Sequence, residues 1–344
     1  MAGQDRPARP TLVSIATELG VSRQTVSNVL NNPDIVHPAT RERVAAAIKR
    51  AGYRPSAAGR ALRTQRSMAI GLRLHRTMDG INGAVMDRFV HSLADESQRR
   101  GYHLTLLTAD DADGEVHKLH GLYRSGSIDL AVLTDTGADD TRPEELAAEG
   151  IPFVAFGRPW ASARPDSHPW VDVDGGAGSA ESAAWLRRLG HTAIGFLGWP
   201  EGSGVGDDRR AGWRRAVEGL APSEGLCVAV LDDHASAGAE GAAELIDRGA
   251  TAIVCASDSL ALGALGQLRS AGRLGDDPTA PLVGFDDTPV ARALGLSSVH
   301  QPVEDAAVAV LDLAIAALNQ EPAADSGRLL EPRLVTRELA AFAR

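Results

Sequence analysis

The chain has 344 residues, 44 % of them hydrophobic, and a formal net charge of −10, which suits two or three domains with substantial cores. Cys227 and Cys255 stand far apart, with no Cys-x-x-Cys and no Cys/His cluster at zinc spacing, so neither a disulfide framework nor a metal cofactor is expected. No charged-then-apolar leader opens the sequence and no apolar run nears about 18 residues, so the expectation is a cytoplasmic protein with no membrane partner.

Residues 11–30 predict two short helices joined at Gly20. Leu12, Ile15, Ala16 and Leu19 recur at helical spacing, Gly20 permits the left-handed backbone of a tight turn, and Val21 fills the angle between the helices. Ser22 is placed to cap the second helix. Val26, Val29 and Leu30 face inward on it, while Arg23, Gln24, Thr25, Ser27 and Asn28 point out. An apolar back with a polar N-terminal front is what a recognition helix needs in order to reach base edges in the major groove. A third helix runs from about Ala39 to Ala51, with Pro38 at its start, Val44, Ala45 and Ile48 on its inner face, and Gly52 at its end. Residues 1–66 hold eleven Lys/Arg against four Asp/Glu, a balance of +7, which leaves −17 on the remainder. A cationic head on an acidic body suits a head that binds a polyanion.

After Gly52 comes Tyr53-Arg54-Pro55-Ser56 and an Ala-rich stretch too short to hold a helix alone in water. Residues 1–53 are thus expected to form the head and 54–67 the linker. The helix-turn-helix run Val21-Ser22-Arg23-Gln24-Thr25-Val26-Ser27-Asn28-Val29-Leu30-Asn31, with the Tyr53-Arg54-Pro55-Ser56 segment, resembles the head of the lactose-repressor (LacI/GalR) family of bacterial transcription regulators. That resemblance implies base reading by Arg23, Gln24 and Asn28, and phosphate contacts from Thr25, Ser27 and Thr40. It makes Leu62 an apolar wedge entering the minor groove at the operator centre. Asn28 stands where many members carry Arg. Gly59 replaces the usual Ala, at a cost of roughly 0.5–1 kcal/mol to a hinge helix.

From Met68 onward, short apolar runs alternate with helical stretches. Strands are predicted at 68–74, 102–108, 128–134, 151–156 and 171–173, then at 193–197, 226–231, 250–256 and 282–285, with a last one at 329–334. Helices between them include 85–100, 178–189, 209–220, 238–248, 260–271 and 304–318. Such alternation argues for parallel sheets covered by helices, here two doubly wound lobes with a ligand cleft at the carboxyl ends of their strands. The expected fold class is an all-α helix-turn-helix head plus an α/β core of two doubly wound parallel-sheet lobes, which the resemblance makes similar to that of periplasmic binding proteins. The resemblance implies a first lobe of residues 68–173 and 301–328 and a second of 174–300 and 329–344, the chain crossing near Asp174, near Gln301 and before Leu329.

Candidate effector contacts follow. Arg209, in Asp207-Asp208-Arg209-Arg210-Ala211-Gly212-Trp213, occupies the place where the family puts its effector arginine, and a guanidinium makes forked bonds to vicinal hydroxyls or a carboxylate. Asp286 lies just past a buried strand; Asp287 either shares that role or caps the next helix. Ser257 and Asp258 end another strand, Asp258 as ligand contact or as cap. Arg158, in Phe156-Gly157-Arg158-Pro159-Trp160, resembles the arginine of sugar-responsive members. Trp160 and Trp170 either stack on pyranose faces or pack, and Asp174 is either a ligand contact or a hinge anchor. Arg/Asp pairs with Trp, and no Lys-rich phosphate cradle, favour a saccharide. The Gly-rich run 202–206 lacks GxGxxG spacing and the Gly-Lys-Ser/Thr ending of a phosphate loop, and reads as a mobile loop over the cleft. With no Gly-x-Ser-x-Gly elbow and no HExxH, no enzyme is expected. The expected function is a homodimeric repressor whose affinity for a palindromic DNA operator is set allosterically by a small sugar. The alternatives are a nucleobase-responsive repressor of the same build and, against the presence of a DNA head, a transport-type sugar-binding protein.

Overall fold

Thr11 opens the first helix, α1 (Leu12–Leu19), by a reciprocal cap: its hydroxyl accepts the Ser14 amide while the Ser14 hydroxyl accepts the Thr11 amide. Gly20, at φ 63°, turns the chain, and Ser22 caps α2 (Arg23–Asn31) by accepting the Thr25 amide at 3.0 Å. A 3₁₀ turn (Pro33–Ile35) leads to α3 (Pro38–Ala51), closed by Gly52 at φ 61°. Ile15, Ala16, Val26, Val44 and Ala47 form the buried centre of this bundle. Ala45, expected inside, is exposed; the inner face of α3 turns through Ala47 instead, three residues on from Val44.

This computed structural model describes residues 10–53, 66–75, 81, 83–160, 168–220, 223, 225–274, 281–321 and 326–339. Most of the predicted linker, with Gly59 and Leu62, lies outside the described residues. The chain divides into two compact units, 1–67 and 68–344.

The larger unit contains two six-stranded sheets. In the first, β1 (Ala69–Arg73), β2 (His103–Leu107), β3 (Leu130–Leu133), β4 (Phe153–Phe156), β5 (Trp170–Val173) and β11 (Gly327–Leu330) are all parallel, in the order β11-β5-β4-β3-β1-β2. It carries the helices α4 (Ala84–Arg99), α5 (Ala112–Arg124), α6 (Arg142–Ala148) and, returning from late in the chain, α12 (Val303–Leu318). The second sheet runs β12-β10-β9-β8-β6-β7, from β6 (Ile194–Gly198), β7 (Cys227–Ala229), β8 (Ala252–Cys255), β9 (Leu282–Phe285), β10 (Ser298–His300) and β12 (Arg333–Val335). Its helices are α7 (Gly175–Arg188), α8 (Val205–Val217), α9 (Ala235–Asp247), α10 (Asp258–Ser270) and α11 (Pro289–Leu294).

In both lobes the first strand lies between the second and the third, so the order reverses there and a crevice opens at the carboxyl ends. The chain passes between the lobes after β5, after β10 and after β11. Two sequence expectations need correction. The last apolar run is not one strand: Gly327–Leu330 pairs with β5 of the first lobe and Arg333–Val335 pairs antiparallel with β10 of the second. The crossing therefore falls at Glu331-Pro332, two residues later than expected, where proline has no amide for a ladder. The strand β10 has no signature in the sequence, because Ser297 and Ser298 at its start look like a loop. They are buried, with Ser298 Oγ donating to Asp258 at 2.7 Å.

Candidate functional sites: a recognition helix and an interlobe cleft

On the head, Arg23 and Gln24 occupy the first turn of α2 and are exposed, with Asn28 one turn on. Gln24 Nε2 donates to Asn28 Oδ1 at 3.0 Å, so these two amides form one polar unit. The Thr25 hydroxyl sits 2.9 Å from that of Ser22 at the helix start, and Asn31 Nδ2 donates to the Ser27 carbonyl at 2.8 Å. Thr40 lies in the first turn of α3.

In the larger unit, a cavity of about 370 Å³ opens where both sheets reverse order. Its second-lobe wall is built around Arg209, which lies in the second turn of α8 because that helix begins at Val205. Val205 and Gly206, read from sequence as a loop, thus belong to a helix. The Arg209 guanidinium is 6 % exposed. It lies 3.7 Å over the Phe285 ring centroid, donates to the Ala256 carbonyl at 2.5 Å, and stands 3.9 Å from Asp286. Burial lowers its affinity for the proton, against the pull of Asp286 and Asp233. Its Nε is buried without a protein partner among the described residues.

Asp286 holds φ at 109°, a region that disfavours side chains and collects at functional sites. It accepts from Gln301 Nε2 at 2.7 Å. Burial pushes its carboxyl up to about 8, against Arg209. The folded state then holds this proton more tightly than the unfolded chain, whose carboxyl titrates near 3.8, so the contribution of Asp286 to stability falls as pH rises from about 4 to about 8. Asp286→Asn, which cannot ionise, should gain in melting temperature on the parent protein across that interval. A constant difference between the two proteins would reject the assignment.

The first-lobe wall contributes His75 beyond β1, Asp135 and Thr136 beyond β3, and Asp172 and Val173 at the end of β5. Asp135 adopts φ 55°. Its carbonyl is held at 3.0 Å by Arg142, whose guanidinium also reaches the fully buried Glu115 at 2.7 Å. Burial lowers the His75 pKa, its Nδ1 lies 3.6 Å from Asp135, and its Nε2 is buried without a protein partner among the described residues. Trp160 lines the cavity and donates from its indole to Thr136 Oγ1 at 3.2 Å. A Cβ on Gly157 would meet that same oxygen at 2.1 Å, and the residue holds φ 128°, so only glycine serves there.

Arg158 reaches in both directions. Its Nε donates to Asp172 at 2.6 Å, its Nη2 donates to Asp208 in α8 at 3.2 Å, and its guanidinium lies 4.6 Å over the Trp160 ring. The cavity therefore gathers Trp160 and Arg209 among the expected residues, with Asp286 and Arg158 touching its wall. Others are elsewhere. Trp170 begins β5, away from the cleft mouth, with its ring against Gly327 of β11, because cleft access belongs to the carboxyl end of the strand. Ser257 caps α10 and donates to the cavity residue Asp233. Asp258 sits behind the wall, accepting from the Thr288 amide and the Ser298 hydroxyl at 2.7 Å each; burial pushes its carboxyl to about 6. Asp174 caps α7 through the Ala177 amide, and Asp287 binds Arg292 and Arg337. His75, Asp135, Thr136, Asp172, Asp208 and Asp233 were missed. For Asp135 and Thr136 the signal was their place just past a strand end.

A larger groove of about 620 Å³, beside Trp213 and Arg214 of α8, lacks such convergence. Its buried Ser223 hydroxyl is spent on the Thr192 carbonyl and the Ile194 amide. No helix among the described residues is long and apolar enough to cross a membrane.

Comparison with known proteins gives a consistent set of likenesses. Residues 11–56 match the model described as bacterial regulatory proteins, lacI family, and residues 183–338 match the periplasmic binding protein-like domain. The HTH-type transcriptional regulator CelR of Thermobifida fusca is 32 % identical over 342 residues, covering 97 % of this chain and 99 % of that protein. A solved CelR–cellobiose complex superposes with a TM-score of 0.70 at 30 % identity, over 96 % of this chain and 100 % of that one. The lac repressor dimer bound to operator and the anti-inducer ONPF shares the fold, with a TM-score of 0.77 at 23 % identity over 96 % of this chain and 99 % of that one.

Proposed function

Because the chain belongs to the lacI family of bacterial transcriptional regulators, we propose that it is a homodimeric repressor whose hold on a near-palindromic operator is set by a neutral saccharide in the interlobe cleft. The observation that carries the effector half of this reading is the buried, forked Arg209 guanidinium, whose Nε has no protein partner among the described residues, beside a cavity rich in carboxylates. A guanidinium donates to sugar oxygens, carboxylates accept from vicinal hydroxyls, and Trp160 offers apolar surface to pyranose C–H groups. That a relative is solved as a cellobiose complex supports a saccharide over a nucleobase.

On the DNA side, Arg23, Gln24 and Asn28 are the proposed base readers, Thr25, Ser27 and Thr40 the phosphate contacts, and Leu62 the minor-groove wedge. Two heads on a two-fold dimer would meet two half-sites. The effector acts by its unequal affinity for the DNA-competent and DNA-incompetent arrangements.

The cleft also has a charge preference. Among the described residues Asp135, Asp172, Asp208 and Asp233 line it, against Arg209 and, bonded to Asp172 and Asp208 at the wall, Arg158. A second anion placed about 4 Å from a carboxylate costs about 4 kcal/mol at an effective dielectric of 20. In a thermal-shift and operator-release assay, neutral disaccharides such as cellobiose should stabilise the protein and change its DNA affinity. The corresponding uronates or sugar phosphates should bind about tenfold or more weakly. Stabilisation by purines but by no saccharide would reject the saccharide reading.

A further inference from the structure

We propose that Arg158 and Asp208 form a bolt between the two lobes that fixes their resting angle before any effector arrives. Arg158 belongs to the first lobe, just beyond β4, and Asp208 to α8 of the second. Neither end of the pair is free to drift. On the first-lobe side, the guanidinium is oriented by Asp172 at 2.6 Å and the Val173 carbonyl at 3.3 Å, and it lies over Trp160. On the second-lobe side, the same Asp208 oxygen that receives Arg158 accepts the Gly176 amide at 2.8 Å, in the first turn of α7. Anions are favoured at that helix terminus. Both partners are shielded, with side chains 21 % and 18 % exposed, so solvent screens the pair less than a surface ion pair.

A second contact beside it spans the same gap. A Cβ on Gly204 of the second lobe would meet the Trp160 ring of the first at 2.7 Å, so the indole rests on that glycine. The bolt thus sits across the first chain crossing, where Val173 passes through Asp174 into α7, and it closes a loop between lobes that the backbone already joins.

The pair also adjoins the effector machinery. Asp172 and Asp208 both line the cavity, and Arg209 follows Asp208 in the same helix. Sugar hydroxyls entering the cleft compete for the carboxylate oxygens that hold Arg158, so occupancy and lobe angle are coupled through two shared groups. This coupling rests on the saccharide reading above; the bolt does not.

The test is therefore made without ligand. Spin labels are placed on the full chain at Glu144→Cys in α6 and Glu240→Cys in α9, both exposed and on different lobes, in a Cys227→Ser background. The labelled chain is diluted into an excess of unlabelled chain, so that each dimer holds one labelled protomer, and pulsed dipolar spectroscopy then reads the interlobe distance. The unsubstituted pair should give a narrow distribution. Asp208→Asn should broaden and lengthen it, Arg158→Gln should do the same, and the double variant should go no further than either single one, because each removes the same link. An unchanged distribution in both single variants, or effects that simply add, would overturn the proposal. If one variant fails to fold, the other carries the result. Failure of every saccharide to bind would leave the bolt standing, and an unchanged distance would leave the saccharide reading standing.

Discussion

Arg209→Ala should leave operator binding near its normal strength and remove the response of that binding to the effector. Arg209 lines the cavity, its buried Nε has no protein partner among the described residues, and the ring of Phe285 beneath it fixes the plane of the guanidinium. Charge-assisted hydrogen bonds contribute roughly 1.5–3 kcal/mol each, so losing two of them weakens effector binding by about a hundredfold or more. The substitution need not unfold the lobe. Asp286, the nearest carboxyl, is pushed up to about 8 by burial, so at neutral pH it mostly keeps its proton and no unpaired charge is stranded. Arg209→Lys should recover the charge without the fork and restore only part of the affinity. Calorimetric titration with the saccharide, paired with operator binding at rising saccharide concentration, reads both halves. A normal response in Arg209→Ala would take this residue out of the site.

The second large effect belongs to the head. Operator binding should fall steeply with ionic strength, by about 10³–10⁵ between roughly 50 and 200 mM salt if six to ten phosphates are contacted. Exchanges within α2 should divide into two kinds. Replacing Arg23, Gln24 or Asn28 should alter which half-site sequence is preferred, at about 1–3 kcal/mol per lost base contact. Replacing Thr25, Ser27 or Thr40 by Ala should weaken all sequences alike. Because Gln24 donates to Asn28 at 3.0 Å, their substitutions should couple rather than add. Selection of half-sites from a randomised duplex pool reports the difference. Uniform weakening on exchange of Arg23 or Asn28 would assign them to the phosphates.

The head was legible nearly residue by residue. Its caps and turns use side chains with single local jobs, as when Ser22 accepts the Thr25 amide and Gly20 takes φ 63°. The strands with strong apolar runs were legible for the same reason. The site was less so. Arg209 could be placed from the motif around it, yet its orphaned Nε and its seat on Phe285 depend on a strand more than seventy residues later in the chain. Asp258 and Ser257 showed why position after a strand is a weak guide: both follow β8, and both turned to capping and bracing. Asp172 was hidden in an alternating strand pattern, where nothing local says which face meets the cavity. Trp170 misled because an aromatic near a cleft segment carries no sign of which strand end it occupies. The short β10 could not be seen because Ser298 and the preceding Ser297 are made compatible with burial by distant partners: Asp258 and the Asp287 amide for Ser298, and Arg337 for Ser297.

The return of α12 and β11 to the first sheet also sets an order of events during synthesis. β5 has its outer neighbour only once Gly327–Leu330 has been made, and α12 covers the strands β3 to β5 only after residue 303. Until residues 303–330 have been made, that half of the sensor has a bare strand edge and an uncovered apolar face, the two features that invite misassembly. The reader at the amino end needs no such wait. A nascent or prematurely terminated product would hold a finished DNA-contacting module before it holds a complete regulator. Fragments cut short before Gly327 should therefore be sticky and short-lived rather than merely unresponsive.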